Sequence, residues 1–275
     1  MQKTAEELRS HGKKIGVVPT MGCLHDGHLS LIRIAKQHVD VVITTIFVNP
    51  TQFGLNEDFA KYPRDIDRDK RLAESAGTEF LFIPDTKEIY PDGYLTYVNV
   101  EQMTTVLEGK VRPTHFRGVT TIAVKLFNIT KPHVAVFGQK DAQQAAVIKQ
   151  MVKDLNFDLN VIVAPIVREP DGLAMSSRNV YLSPEERKQS VVLSQSLKLA
   201  EQLIARGERK PSTIISEMTT LITVKSSAKV DYISIADPIT LQEKSMIASG
   251  ETVLISLAVR IGATRLIDNI LIPVV

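Results

Sequence analysis

The sequence predicts an α/β fold, with a doubly wound parallel sheet followed by a smaller α+β domain. Short β-branched apolar segments alternate with amphipathic segments of helical period over the first 167 residues. This alternation is typical of a parallel sheet with helices on both faces. After about residue 170 the order changes to helices followed by three strands. We therefore predict a Rossmann-like domain over 1–167 and a smaller α+β domain over 168–275.

The elements of the first domain follow from local patterns. The run VVITTIFVN after Asp40 is rich in β-branched residues, as buried strands are, and Gly77 ends a charged amphipathic helix. Residues 94–100 alternate, which predicts a half-exposed strand. The predicted strands are 14–19, 40–49, 79–84, 94–100, 133–137 and 160–167, and the predicted helices are 4–11, 24–37, 65–76, 118–129 and 141–155.

The second domain begins with a strong helix start. Ser183 precedes Pro184 and two glutamates, the pattern of an N-cap, a proline at the first position and acids in the first turn. We predict one helix from there to about Arg206, ended by Gly207, and another beginning at Pro211. Three strands follow, at 230–236, 252–261 and 265–272.

Composition limits the classes of function. The 275 residues are 44% hydrophobic and carry 33 basic and 31 acidic side chains without a Lys/Arg block, so extended binding to nucleic acid or to an anionic membrane is not indicated. The polar N-terminus does not resemble a secretory signal, and the apolar runs are too short to span a bilayer. A single cysteine, Cys23, is consistent with a reducing cytosol. These features favour a cytoplasmic protein.

The segment GVVPTMGCLHDGHLSLIRIA (16–35) is the strongest candidate for a functional site. It predicts a buried strand, a glycine turn at Gly22 and a helix start, which offers backbone N–H groups to a phosphate. His25 and His28 are three residues apart, so both imidazoles are expected on one face of the first turn, where they could stabilise charge on phosphate oxygens. Alternatively the pair is structural, or it binds a metal, although no nearby third ligand supports zinc.

Other polar clusters follow predicted strands. FVNPTQFG (47–54) ends in amides that could bind a carboxylate or a hydroxyl, or it is only a polar turn. FGQKDAQQ (137–144) places a glycine and Lys140 where a phosphate could bind. The polar loop Met175–Arg178 has two hydroxyls and a guanidinium that suit a triphosphate. LEGKVRPTHFRG (107–118) is either a surface loop or a lid, and the acids at 65, 67 and 69 are either a solvated helix face or a source of one Mg²⁺ ligand.

Together these strings resemble the pantothenate synthetase (pantoate–β-alanine ligase) family of the HxGH nucleotidylyltransferase superfamily. The matching strings, in order, are PTMGCLHDGH, FVNPTQFG, EDFAKYPR, LEGKVRPTHFRGV, FGQKDAQQ and DGLAMSSRNVYL. The resemblance implies ATP-dependent condensation of pantoate with β-alanine through a pantoyl adenylate, with release of AMP and pyrophosphate. It also implies a cytoplasmic homodimer.

The resemblance assigns roles by position. The implied catalytic residues are His28, His25, Lys140 and Arg178. The implied ATP-binding residues are Met21, Gly22, Cys23, Leu24, His25, Asp26, Gly27, His28, Gly138, Gln139, Lys140, Asp141, Val167, Met175, Ser176, Ser177 and Arg178. Pantoate is expected at Gln52 and Gln144, β-alanine at Gln52, and Mg²⁺ at Asp69. Glu108 and Arg112 are expected in a lid near the substrates or at a subunit contact.

Two other functions share some of these features. A nucleotidylyltransferase acting on a phosphorylated acceptor would have the first motif and release pyrophosphate, but it would need no amine. A nucleotide-binding regulator would bind ATP and never release pyrophosphate. The density of polar side chains at three strand ends argues against the regulator.

Overall fold

A five-stranded parallel sheet forms the centre of the N-terminal part of the molecule, in a computed structural model that describes residues 1–54 and 57–275. The strand order is β3-β2-β1-β4-β5. The strands are β1 (Ile15–Thr20), β2 (Val41–Ile46), β3 (Phe80–Phe82), β4 (Val134–Gly138) and β5 (Asn160–Ala164). The strands β1 and β2 are almost entirely buried, as expected for a parallel sheet covered on two faces. The predicted α/β class is confirmed.

Seven helices accompany this sheet in the described part of the chain. They are α1 (Gln2–Ser10), α2 (Asp26–Lys36), α3 (Ile66–Ala76), α4 (Thr86–Ile89), α5 (Glu108–Val111), α6 (His115–Thr130) and α7 (Ala142–Asp154). The apolar face of α2 packs on β1, β2 and β4 through side chains such as Leu31 and Ile32. Helix α3 ends at Gly77, which has φ +107°, so the predicted glycine stop is confirmed.

The strand order determines where a ligand can bind. From β1 the chain proceeds outward to β2 and β3, and β4 then returns to pair with the other side of β1. In open parallel sheets, ligands bind beyond the carboxyl ends of the strands at the place where the order reverses. The turns after β1 and β2, and the end of β4 at Gly138, lie at that edge.

A three-stranded antiparallel sheet characterises the C-terminal part, with the order β6-β7-β8. Its elements are α8 (Pro184–Ser190), α9 (Val192–Ala205), α10 (Pro211–Thr223), β6 (Ala228–Ala236), β7 (Thr252–Ile261) and β8 (Thr264–Pro273). Helices α9 and α10 cover the sheet through a separate apolar core that includes Leu193, Ile214 and Ile255. Ser183 caps α8 reciprocally with Glu186, as the sequence predicted.

The chain divides into two compact units. The first comprises residues 1–139 and 143–165, and the second comprises 140–142 and 166–275. The domain boundary after residue 167 stays a prediction. None of the helices formed by described residues has the length and apolar character needed to cross a bilayer.

Three predicted elements differ in the structure. Residues 94–100 form no strand, because Val98 bonds through its backbone to the hydroxyls of Thr120 and Thr121 on α6. The helix predicted from 183 to 206 is two helices, α8 and α9, and the hydroxyl of Ser190 donates to the Arg187 carbonyl where α8 ends. The 107–118 segment is not a simple loop, because it contains α5 and the start of α6.

Candidate active site

The turn after β1, residues 20–28, is referred to below as the histidine turn. Gly22 has φ +83° and Cys23 has φ +50°, so two consecutive residues adopt the left-handed conformation. The hydroxyl of Thr20 donates to the Thr45 carbonyl on β2 and accepts from the Gly22 N–H. A left-handed cysteine is unfavourable, so the surrounding contacts must hold this turn in place.

The carboxylate of Asp69 provides those contacts from α3. Its Oδ2 accepts the N–H of Cys23 and its Oδ1 accepts the N–H of Leu24, each at 2.7 Å, and the side chain is fully buried. A Cβ on Gly22 would lie 3.0 Å from the same carboxylate. Next to it, Arg68 donates to the Leu24 carbonyl at 2.9 Å. Two adjacent charged residues on α3 therefore fix the backbone that leads into α2.

This geometry does not suit Asp69 as a direct magnesium ligand. Both of its oxygens accept backbone N–H groups, and none of its surface is open to a hydrated ion. Within residues 1–54 and 57–275, no group of three or more His, Cys, Asp or Glu side chains could hold a metal ion. Mg²⁺ needs few protein carboxylates when substrate phosphates bind it. The assignment of Mg²⁺ to Asp69 stays a prediction.

The two histidines form a reciprocal cap at the start of α2. His25 is the N-cap residue, and its Nδ1 accepts the N–H of Gly27 at 3.1 Å. The Nδ1 of His28 accepts the N–H of His25 at 3.3 Å, and the ring centroids are 4.1 Å apart. Because both Nδ1 atoms accept, each neutral ring carries its proton on Nε2. His25 thus precedes the helix, instead of lying on its first turn as predicted, yet the two imidazoles are adjacent.

The turn after β2, residues 49–52, is referred to below as the amide turn. Pro50–Gln52 is a single 3-10 turn capped by Asn49. The side chains of Asn49 and Gln52 are both buried, and the Asn49 Nδ2 donates to the Gln52 Oε1 at 3.1 Å. The Gln52 Nε2 lies 3.1 Å from the sulfur of Met21. This contact places the predicted pantoate-binding amide directly beside the histidine turn.

Arg112, one of the two predicted lid residues, and His115, the first residue of α6, support the amide turn. Arg112 forms a bidentate ion pair with Glu57 and also donates to the Gln52 carbonyl at 3.3 Å. Burial opposes ionisation of Glu57, but the hydrogen bonds and positive charge of Arg112, together with smaller contributions from Gly54 and His115, outweigh it and lower the pKa of this carboxyl. The Nδ1 of His115 lies 2.9 Å from the same carbonyl, and burial and the nearby Arg112 charge lower the pKa of His115 to about 4. His115 is therefore a neutral Nδ1–H donor near pH 7.

In the first turn of α7, which follows β4, two neighbouring glutamines have different surroundings. Gln143 is buried and holds the chain before α5, donating to the carbonyls of Met103 and Val106 and accepting the N–H of Glu108. Gln144, the predicted pantoate residue, is partly exposed. Gly138 is the last residue of β4. Of this pair, only Gln144 is accessible enough to contact a substrate.

Gln139 is in the first unit, and the remaining predicted residues, from Lys140 onward, belong to the second. The carbonyl of Lys140 accepts a hydrogen bond from Asn269 at 2.9 Å. The N–H of Met175 donates to the Val167 carbonyl at 3.0 Å, which brings this predicted ATP-binding residue next to the polar loop. In that loop the Ser176 hydroxyl accepts the N–H of Arg178 at 3.2 Å. The structure thus brings residues 167 and 175–178 together within one unit.

Ion pairs fix the hairpin that joins Val167 to Met175. Arg168 bonds Asp268 through both terminal nitrogens, at 2.7 and 3.0 Å, and also donates to the Gly172 carbonyl. Hydrogen bonds from Arg187 lower the pKa of Asp171. The polar loop therefore follows a rigid hairpin.

The sequence alone assigned no role to Asn49, which belongs to the amide turn, or to Tyr90 and His115, which contact it. Asn49 was visible in the FVNPTQFG string as a potential amide, and His115 in the predicted lid. No local signal identified Tyr90, because its partner Asn49 is 41 positions away in the chain.

Comparison with protein families gives a match over nearly the whole chain. The model described as Pantoate-beta-alanine ligase matches residues 1–271. Among similar curated proteins, the pantothenate synthetase of Acetivibrio thermocellus is 58% identical, over 96% of this chain and 93% of that protein. The pantothenate synthetase of Chloroherpeton thalassium is 56% identical, over 98% of this chain and 95% of its own length.

Solved structures give the same result. Pantothenate synthetase from Thermus thermophilus matches with a TM-score of 0.90 and 42% identity, covering 97% of this chain and 96% of that chain. The pantoate–β-alanine ligase of Francisella tularensis, solved in complex with β,γ-ATP and β-alanine, matches with a TM-score of 0.78 and 37% identity over 98% and 95% of the two chains. Both similarities extend through both units of the fold.

Proposed function

The chain belongs to the pantoate–β-alanine ligase family, and from this premise we propose that it condenses pantoate with β-alanine at the expense of ATP, releasing AMP and pyrophosphate. The observation that carries the proposal is the contact between the histidine turn and the amide turn, in which the Gln52 Nε2 lies 3.1 Å from the Met21 sulfur. This contact sets a group suited to a small hydroxy acid beside a helix N-terminus suited to a phosphate.

In the first step, a carboxylate oxygen of pantoate attacks the α-phosphorus of ATP. A bond forms between that oxygen and phosphorus, the bond from phosphorus to the bridging oxygen breaks, and pyrophosphate leaves with the electron pair. The product is pantoyl adenylate. Such a transfer depends mainly on positioning and on stabilisation of the phosphate oxygens. The Nε2–H groups of His25 and His28 supply hydrogen-bond donors, and Lys140 and Arg178 supply positive charge.

In the second step, the neutral amine of β-alanine attacks the carbonyl carbon of the adenylate. The new carbon–nitrogen bond replaces the bond to the AMP oxygen, AMP leaves, and the amine loses a proton. Pantoate itself is a poor acyl donor because its leaving group would be oxide. Activation as a mixed anhydride provides AMP as a far better leaving group, which explains why the reaction consumes ATP.

The finer assignments of the site remain part of the proposal. Met21 to His28, Gly138 to Asp141, Val167 and Met175 to Arg178 would contact ATP, and Gln52 and Gln144 would contact pantoate. Magnesium, when bound to ATP, would neutralise phosphate charge. The homodimeric state and the cytoplasmic location stay predictions.

An assay of AMP release with each substrate omitted in turn tests the reaction. AMP should appear only when ATP, pantoate and β-alanine are all present, in amounts equal to the pantothenate formed. A nucleotidylyltransferase would release pyrophosphate without any dependence on β-alanine. A regulator would bind ATP and release neither product, and either result would refute the proposed reaction.

A further inference from the structure

A chain of hydrogen bonds leads from Tyr90 to the side-chain amide of Gln52, the residue proposed to contact pantoate. The hydroxyl of Tyr90 donates to the Asn49 Oδ1 at 2.9 Å. The same oxygen accepts from the Thr51 hydroxyl at 2.9 Å and from the Thr51 N–H at 3.4 Å. On the other end of the amide, the Asn49 Nδ2 donates to the Gly118 carbonyl and to the Gln52 Oε1, each at 3.1 Å.

These partners allow only one orientation of the Asn49 amide. A backbone N–H only donates and a backbone carbonyl only accepts. If the Asn49 amide were flipped, its oxygen would face the Gly118 carbonyl and its NH₂ would face the Thr51 N–H. The donors and acceptors that surround Asn49 therefore fix the orientation of its amide.

The orientation of Asn49 determines that of Gln52. Because the Asn49 Nδ2 is a donor, it must meet the oxygen of the Gln52 amide, and the Nε2 of Gln52 then forms the other end. That Nε2 contacts the thioether sulfur of Met21, a weak acceptor that a substrate oxygen would readily replace. Gln52 thus offers N–H groups, and no oxygen, at this position.

The backbone of Gln52 is held independently of its side chain. Its carbonyl accepts from His115 at 2.9 Å and from Arg112 at 3.3 Å. Burial raises the pKa of Tyr90 to about 12, so its hydroxyl stays a donor at any working pH. The amide of Gln52 is therefore preorganised before a substrate arrives.

We propose that Tyr90 and Asn49 are positioning residues, which fix the Gln52 amide so that it binds a carboxylate or hydroxyl oxygen of a substrate and excludes the ammonium group of the amino-acid substrate from this position. The inference rests on the proposed function, since it specifies how one site residue selects among the substrate groups. It also requires the amine of β-alanine to be recognised elsewhere.

The first test replaces Gln52 by Glu in the full-length chain. The carboxylate keeps the shape and accepts from Asn49, but it places an oxygen where the N–H groups stood. KM for the substrate acid bound at this position should rise at least about 100-fold because its oxygen and the new carboxylate oxygen repel each other, which is the scale expected when a buried hydrogen-bonding partner is lost. KM for ATP should change less than about twofold. An unchanged or lower KM for pantoate and for β-alanine would show that the oxygen end faces the substrate, and would overturn the proposal.

The second test compares Tyr90→Phe with Tyr94→Phe. The two rings pack against each other with centroids 5.1 Å apart, but the hydroxyl of Tyr90 is the one that bonds Asn49. Tyr90→Phe should raise KM for pantoate about three- to tenfold, the range of one neutral hydrogen bond, and leave kcat and KM for ATP nearly unchanged. Tyr94→Phe should match the parent enzyme. Equal KM values for the two variants would exclude a positioning role for Tyr90.

A double-mutant cycle separates positioning from a purely structural role. The carboxylate introduced by Gln52→Glu has an oxygen at both ends, so its orientation no longer matters. Tyr90→Phe should therefore add no further change in KM for pantoate in the Gln52→Glu background. Additive effects would mean that Tyr90 acts by another route. If the parent enzyme makes no pantothenate, the proposed function fails; if it does and the cycle is additive, only this inference fails.

Discussion

The histidine turn and the amide turn follow neighbouring strands of one sheet, yet they are held in different ways. A buried acidic side chain, Asp69, fixes the first by accepting two backbone N–H groups. The side chains that hold the second are mainly the neutral Asn49, Tyr90 and His115, and the charged Arg112 contacts only a backbone carbonyl there, that of Gln52. A carboxylate can organise a loop that presents hydrogen-bond donors to an anion, because it accepts backbone N–H groups of that loop other than those presented to the anion. A loop that must discriminate between substrate groups needs partners that are fixed either as hydrogen-bond donors or as hydrogen-bond acceptors.

Among the variants that test this comparison, we expect the largest effect on turnover from loss of the His28 imidazole. His28→Ala should lower kcat at least about 100-fold while folding is retained, the scale of one lost donor to a developing anion, about 2.7–4 kcal/mol. Lys140→Ala should lower kcat similarly. Stopped-flow or steady-state AMP release measures both, with circular dichroism as the control for folding. Turnover like that of the parent enzyme in either variant would remove that residue from the mechanism.

Acid should lower the free energy of unfolding because it protonates His115, which holds the amide turn as a neutral donor. The pKa of His115 is about 4 in the folded protein and 6.5 ordinarily, mainly because of burial, so below pH 6.5 the unfolded chain binds more protons. The free energy of unfolding should therefore be fully retained above pH 6.5 and fall by up to about 3 kcal/mol as pH decreases to 4. Urea titrations between pH 7 and 4.5 measure this slope.

His115→Gln, which keeps an N–H donor, should reduce that slope without abolishing it. The pKa of His133 is also lowered, chiefly by burial, so this second histidine contributes a slope of the same sign. An identical slope in His115→Gln and in the parent protein would contradict the assignment to His115.

Asp69→Asn tests how the histidine turn is held. One of the two oxygens becomes an NH₂ group that faces a backbone N–H, so the free energy of unfolding should fall by about 2 kcal/mol. KM for ATP should rise about tenfold, and KM for pantoate should change less. The Mg²⁺ concentration for half-maximal activity, measured at saturating ATP, distinguishes a role of Asp69 in holding the turn from a role in binding the metal. A large rise in that concentration with unchanged stability would identify Asp69 as a metal ligand instead.

The smallest expected effect concerns the packing of α6 against the amide turn. A Cβ at Gly118 would lie 2.5 Å from the Thr51 carbonyl oxygen and 2.6 Å from the Gln52 nitrogen, so Gly118→Ala must displace backbone. We expect a loss of about 1 kcal/mol or more in unfolding free energy and a higher KM for pantoate. Gly54→Ala, where the nearest atom is 3.7 Å away, is the matched control and should be neutral. Equal stability of the two variants would contradict close packing at Gly118.

Much of the fold was predictable from the sequence because its signals are local. The β-branched run of β2, the glycine after α3 and the Ser-Pro-Glu-Glu start of α8 each depend on a few adjacent residues. The 94–100 segment has an equally clear alternating pattern, but its backbone bonds to hydroxyls of α6. A period of two indicates an extended chain, and it does not specify what the chain pairs with.

The candidate site shows the same division between local sequence signals and contacts that are distant in the chain. His25 and His28 could be found because they stand in one short string with the helix they cap. The role of Asp69 could not, because it arises from contacts 45 and 46 positions away, and its place in a run of acids suggested magnesium. Tyr90 likewise acts on Asn49 only after α4 has brought it to the amide turn. Residues that position a functional group tend to be distant in the chain, so their role emerges only from the fold.

The left-handed conformation of Cys23 has a practical consequence. The protein contains one thiol, and it lies in the turn held by Asp69, at a φ of +50° that asparagine or glycine adopts with less strain. Cys23→Asn is therefore a natural route to a thiol-free background, in which spectroscopic labels can be introduced one at a time on either unit. Distances between pairs of such labels, recorded with and without nucleotide, would measure any change in the separation of the two units during turnover.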